Sequence, residues 1–228
     1  MCGKVTKMRI RPILFNGDMV RAILDGRKTC TRRVIKPQWE ECPHCKYVHN
    51  NYIYDKMAEN VYCARCGYPL EPERRSPYQL EDILYVRETW GHPISLNSDK
   101  QYVFRADKIA ESGFENDSHI WHPSIHMPKE AARIWLQVTD VWVERLQDIT
   151  PKDAKNEGVG NLFYEDIGYS GKDYGTEVDS EYGIAKEQFA WLWDSTIKKA
   201  DLDCYGWDAN PWVWVIEFER CEKPEESE

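Results

Sequence analysis

Two pairs of cysteines carry the clearest chemistry in this sequence. Cys42-Pro-His-Cys45 and Cys63-Ala-Arg-Cys66 are CxxC knuckles separated by 17 residues. Each knuckle sets two sulfurs on one tight turn, and two turns complete the tetrahedral four-thiolate sphere that zinc prefers. Pro43 and Gly67 suit those turns. Four protein ligands leave no open coordination position, so zinc at Cys42, Cys45, Cys63 and Cys66 is expected to be structural, holding a small ribbon together. His44 and His49 are alternative ligands. A redox role would need a single CxxC in a thioredoxin-like βαβ setting, which is absent. Cys2, Cys30, Cys204 and Cys221 are scattered and suggest no disulfide framework.

The second concentration of chemistry is cationic. Residues 1–36 carry ten Lys or Arg against two Asp, while the whole chain has a formal charge of −9. The cations gather around one Gly-containing turn, Gly26-Arg27-Lys28-Thr29-Cys30-Thr31-Arg32-Arg33. A basic segment on an acidic chain reads as a local anion site, not as a surface that coats nucleic acid. A solvated charged face is the competing account.

Several elements must position these groups. Ile13–Phe15 reads as a short strand. Asp18 is a candidate cap for a helix over Met19–Leu24, with Gly26 beyond its end. Lys28–Ile35 follows as an extended segment, and residues 37–80 form the cysteine-bearing insert, punctuated by prolines. Ile83–Glu88 and Gln101–Arg105 read as strands, residues 107–130 as a loop, and Arg133–Val143 as a long strand with Ile134, Leu136 and Val138 on one face. Thr150-Pro151-Lys152-Asp153 starts a short helix with a capping box, and Gly158 stops it, placing Glu157 in its last turn. Residues 160–183 read as a loop and Lys186–Lys199 as an amphipathic helix. Trp212–Phe218 is the closing strand, and residues 221–228 an acidic, disordered tail.

At 228 residues with 42% hydrophobic and 13% aromatic content, the chain can build a core, which excludes wholesale disorder. No apolar run approaches the ~18 residues of a membrane span. The N-terminal stretch lacks the apolar region of a secretory signal, so a cytoplasmic address and no membrane partner are expected. There is no GxGxxG and no P-loop, so NAD and ATP are not expected cofactors. His119, His122 and His126 have i, i+3, i+7 spacing, but Pro123 interrupts any helix and no carboxylate joins them.

The segment Gly26–Arg33 resembles the GxKTxTxR signature of ASCH domains, members of the PUA-like superfamily. Asp82–Glu88 resembles that family's GDxLxVxE strand, and Trp214–Phe218 its C-terminal strand. Ser124–Lys129 and Trp207–Pro211 resemble segments of phage- and prophage-borne ASCH proteins. The resemblance covers about residues 10–36 and 78–220. It implies an α+β fold: a small PUA-like β-barrel with peripheral helices over residues 10–220, interrupted by a zinc ribbon at 37–80. It also implies two activities. One is binding of RNA or nucleotides, with nuclease activity in some relatives. The other is hydrolysis of N(4)-acetylcytidine and related N(4)-acylcytosines. For the hydrolase the resemblance carries over Lys28, Thr31 and Glu157, the last within Asp153-Ala154-Lys155-Asn156-Glu157.

Amide hydrolysis needs a nucleophile, a base, an acid for the leaving nitrogen and donors for the oxyanion. Thr31 offers the hydroxyl, Lys28 the base, and Glu157 a proton shuttle or a contact to the cytosine amino group, with no metal or cofactor in the chemistry. Residues three apart on an extended chain point to opposite faces, so Lys28 meets Thr31 only if the chain bulges or the Lys stem curls round. A carboxylate near a helix C-terminus is disfavoured, so Glu157 calls for a compensating cation, and Lys28 is the candidate. Arg27, Arg33, Arg87, Glu88 and Trp90 are expected to bind substrate, with Trp90 stacking a base and Glu88 accepting from an exocyclic amino group. A surface ion pair beside a core Trp is the competing account. The partner is then a small nucleoside, with RNA as the alternative, and the protein a monomer.

Overall fold

A computed structural model describes residues 9–38, 41–47, 52–56, 58, 60–69, 76–93, 101–107, 120–159 and 181–225, with side chains from residue 185 in the last segment. The elements follow in the order β1 (Ile10–Leu14), α1 (Gly17–Leu24), β2 (Cys30–Val34), β3 (Tyr52–Asp55), β4 (Asn60–Cys63), β5 (Ile83–Arg87), β6 (Trp90–Gly91), β7 (Val103–Phe104), β8 (Trp135–Arg145), α2 (Pro151–Asn156), α3 (Glu181–Thr196), α4 (Leu202–Tyr205) and β9 (Trp212–Cys221). The fold is α+β around a mixed sheet with strand order β1-β5-β8-β9-β2. No helix among the described residues is long and apolar enough to cross a membrane.

The chain divides into two compact units: Met1–Gly26 with Leu80–Thr139 and Phe218–Glu228, and Arg27–Gln79 with Asp140–Glu217. In the first, β1 runs parallel to β5, from Ile10↔Ile83 to Leu14↔Arg87. The start of β8 runs antiparallel to β5, with Tyr85 opposite Trp135. Asp82 enters β5 buried, and Arg9 donates to both its oxygens at 3.0 and 3.3 Å.

In the second unit, β2 pairs antiparallel with β9 from Cys30↔Glu217 to Val34↔Val213. β9 is buried on both faces over Trp212–Ile216, each face having its own cover. One face packs Val213 and Val215 with Leu146, Ile149, Phe189 and Trp193. On the other, Tyr52 and Tyr54 of the β3–β4 hairpin meet Trp212 and Trp214 edge-on, at 5.1 and 5.2 Å between ring centroids. The cysteine insert therefore rests on β9 through aromatic edges, and Gln38 fixes its start by accepting from the Trp212 N–H at 2.6 Å.

Local signals and structure differ in a few places. Asn16 caps α1, its Oδ1 accepting from the Met19 N–H at 2.9 Å. Asp18 sits instead in the first turn, paired with Arg21. α3 starts at Glu181 and ends at Thr196, earlier at both ends than the amphipathic pattern. The strand expected over 101–105 is only Val103–Phe104. Cys221 belongs to β9 rather than to a tail. Residues 160–180, 108–119 and 226–228, with His49 and His119, lie outside the described residues.

The cap assignment predicts that Asn16→Ala lowers stability by about 1 kcal/mol, that Asn16→Asp is near neutral, and that Asp18→Ala costs less than Asn16→Ala. Urea midpoints of the three variants check this, and an Asp18→Ala loss equal to that of Asn16→Ala would refute it.

Candidate functional site

The second unit gathers its buried charge at the C-terminal end of α2. That helix is only six residues long, too short to stand by propensity alone. Its N-terminus is closed by a capping box: Thr150 Oγ1 accepts from the Asp153 N–H at 3.1 Å, and Asp153 Oδ2 accepts from the Thr150 N–H at 3.4 Å. At its other end Gly158 takes φ +94°, which a glycine adopts without strain. Arg27 Nη1 donates to Gly158 O at 2.8 Å.

The chain before β2 lies across this terminus. The Thr29 N–H donates to Asn156 O at 2.8 Å, and Lys28 forms a β-bridge with Glu157. Lys28 and Glu157 are 2% and 3% exposed. Lys28 Nζ donates to Glu157 Oε2 at 2.6 Å, Glu157 O at 2.9 Å and Cys30 O at 2.8 Å. An ammonium has three protons, and these three acceptors match them. The Lys stem curls back on its own strand, and the cation that Glu157 calls for is Lys28.

Period-two alternation puts residues 28, 30 and 32 on one side of the segment. Arg32 Nη1 accordingly reaches Glu157 Oε1 at 3.2 Å. Its other edge meets Glu144 Oε1, with Nε donating at 2.9 Å and Nη2 at ion-pair distance, 2.7 Å. Trp142 Nε1 donates to Glu144 Oε2 at 2.9 Å, and the Arg32 guanidinium lies 5.7 Å from the centre of the Phe189 ring. Burial pulls the Arg32 pKa down, and the two carboxylates more than reverse that, leaving it raised. Two cations and two carboxylates thus balance inside the unit. Burial, reinforced by Glu157, holds the Cys30 thiol far above its ordinary range, so it stays protonated.

Thr31 is buried, pairs with Ile216, and is turned by the pleat to the opposite side from Cys30 and Arg32. Arg33 shares that side, half-buried. Burial lowers its pKa, with Tyr78 and Glu157 opposing. Of the residues singled out in the sequence, Lys28 and Glu157 are brought together. Arg27 is spent on the helix end. Arg32 and Glu144 complete the network. Arg32 stood in the sequence only as one of several clustered cations, and Glu144 carried no signal because its role depends on tertiary placement.

Arg87, Glu88 and Trp90 belong to the first unit. Both Glu88 oxygens accept from Arg133, at 2.9 and 3.0 Å, and Arg133 also reaches Asp107 at 2.8 Å. Burial raises the Glu88 pKa against the pull of Arg133. Trp90 packs with Phe104, Met127 and Ala131, and His122 lies 4.9 Å from it between ring centroids. Arg87 donates to Ile125 O at 3.1 Å. Glu88 is thus a buried ion-pair partner of Arg133, rather than part of a surface pair, and Trp90 sits in a core cluster.

The four cysteines of the insert converge, their sulfurs all within 4.8 Å of one another. Cys42 and Cys66 Sγ are 3.7 Å apart, and Cys45 and Cys63 Sγ 3.8 Å. A tetrahedron with Zn–S of about 2.3 Å has edges of about 3.8 Å. The donor set therefore fits a zinc-like ion, and Cys42, Cys45, Cys63 and Cys66 would hold it.

Two outcomes are expected. Lys28→Met or Glu157→Met leaves the buried network one charge out of balance and costs about 3–5 kcal/mol, while the joint replacement Lys28→Met/Glu157→Met recovers much of that loss. A double variant as unstable as the sum of the singles would refute the pairing. Chelation of the metal makes all four insert cysteines reactive to a thiol reagent and changes the emission of Trp212 and Trp214, on which the hairpin rests. No family model, curated protein or solved structure matches the chain.

Proposed function

We propose that the chain is an ASCH-type protein of the PUA-like class that hydrolyses the amide of N(4)-acylated cytosine nucleosides. The observation that carries this reading is the buried contact between Lys28 and Glu157. The two residues lie 129 positions apart, and the family resemblance selects both. The reading places the protein in the cytoplasm as a monomer acting on small nucleosides, without a catalytic metal. Zinc at the four thiolates would supply a folding constraint and take no part in the chemistry.

In the proposed reaction the Thr31 oxygen bonds to the acyl carbon and its proton passes to Lys28, a step that requires the Lys28 amine to swing from the Glu157 side of the segment to the side that Thr31 faces. The C–N bond breaks as N(4) takes up a proton, releasing the cytosine nucleoside. Water then cleaves the threonyl ester, giving the carboxylic acid and restoring Thr31. Lys28 can accept a proton only as a neutral amine, so Nζ must first lose one and leave Cys30 O. Glu157 is the adjacent group able to take that proton and pass it on. Arg32, held by Glu144, anchors the other oxygen of Glu157. The cytosine N(4) is a much weaker base than an alkylamine, which lowers the demand on a Thr–Lys pair.

The test is hydrolysis of N(4)-acetylcytidine and N(4)-benzoylcytidine, followed by absorbance. Turnover by the unaltered protein should fall by at least about a hundredfold in Thr31→Ala at unchanged thermal midpoint, and in Lys28→Ala assayed below its lowered midpoint, both at unchanged zinc content. No turnover on either compound by folded, zinc-loaded protein would overturn the reading. A second reading, a non-catalytic nucleotide-binding module, draws support from the internal saturation of the Lys28 ammonium. It predicts stoichiometric binding of cytidine nucleotides with no conversion.

A further inference from the structure

The two cysteine knuckles repeat each other in more than their ligands. In each, the residue four positions after the first cysteine donates back to that cysteine's carbonyl: Lys46 N–H to Cys42 O and Gly67 N–H to Cys63 O, both at 2.9 Å. Both donors are left-handed, at φ 55° and 69°. In each, the first cysteine's N–H donates to the carbonyl of a tyrosine five positions on, Tyr47 at 3.1 Å and Tyr68 at 2.9 Å. Each tyrosine is then met by the residue two positions after the first cysteine of the other knuckle. The Arg65 guanidinium lies 4.2 Å from the Tyr47 ring centre. His44 stacks on Tyr68 at 5.0 Å and 8°.

These cross-contacts brace the knuckles, yet Tyr47 stays 46% and Tyr68 40% exposed. Bracing uses part of each ring and leaves much of its surface to solvent. The result is a pair of pre-oriented aromatic rings, one backed by a guanidinium and one by an imidazole, beside the exposed Lys46. Ordered rings flanked by cations provide stacking platforms for unpaired bases, with phosphate contacts beside them.

We propose that the tip of the cysteine ribbon binds single-stranded nucleic acid, with bases stacked on Tyr47 and Tyr68 and Arg65 and Lys46 against the backbone. Duplexes fit poorly, because their bases are already stacked on one another. Electrostatics contributes little. Among the described residues two permanent cations serve the tip, Lys46 is shared with Glu41 at 3.3 Å, and a zinc tetrathiolate would carry negative charge. Stacking dominates, and such contacts are tolerant of sequence and sugar. The proposal is independent of the hydrolase reading, since it concerns binding alone.

The test uses full-length, zinc-loaded protein and labelled uridine and thymidine oligomers about a dozen nucleotides long, read by fluorescence anisotropy. Saturable binding of both is expected, with a shallow salt slope of about −0.7 per phosphate for one or two phosphates. Tyr47→Leu and Tyr68→Leu keep an apolar side chain for bracing but remove the ring. Each should weaken binding about tenfold while zinc content and circular dichroism stay unchanged. Arg65→Gln should weaken it less and flatten the slope. Absence of binding overturns the proposal. So do unchanged affinity in the zinc-loaded Tyr→Leu variants and duplex binding as tight as single-strand binding.

Discussion

A charge removed from water must be matched where it lies, and the second unit is organised by that requirement at Lys28. The ammonium takes three acceptors from two places in the chain, its own strand start and the end of α2. Glu157 is shared with Arg32, and Arg32 with Glu144, so each group needs the next. The short α2 persists because both its ends are satisfied, by Thr150 and Asp153 at one and by Lys28 at the other. Removing any one member would leave the charge beside it without its match.

What was legible in the sequence follows the range of the interactions. The Thr150 capping box, the Gly158 stop and the two CxxC knuckles are local, and they formed where the residues indicated. The need for a cation near Glu157 was also legible, because the carboxylate stands at the wrong end of a helix. Asn16 and Asp18 are both good caps two positions apart, and composition alone does not choose between them. Here Asn16 takes the Met19 N–H, and Asp18 falls where the helix dipole favours its charge. The pleat of β2 was equally legible, since it sends Thr31 away from Cys30. Glu144 could not be read. Its value lies in facing Arg32 across 112 positions, and nothing in β8's own alternation marks it out.

The tryptophans of β9 are structural, and their setting gives the reason. A strand with both faces covered needs large side chains in both directions, and the β3–β4 hairpin supplies aromatic edges to one of them. The insert is tied to the sheet through ring contacts and Gln38 as well as through the chain. The hairpin that carries Cys63 and the sheet thus share an aromatic boundary.

The pairing of β2 with β9 joins a segment near residue 30 to one near residue 215. During synthesis β2 emerges first and has no neighbour in its sheet until residues 212–221 leave the ribosome. Lys28 and Arg32 must remain hydrated throughout that interval, because their carboxylates at 157 and 144 also arrive late. The cysteine ribbon, by contrast, has all its ligands within 25 residues and can load metal while translation continues. By this order of synthesis the four cysteine ligands are complete before the strand that pairs with β2 is made.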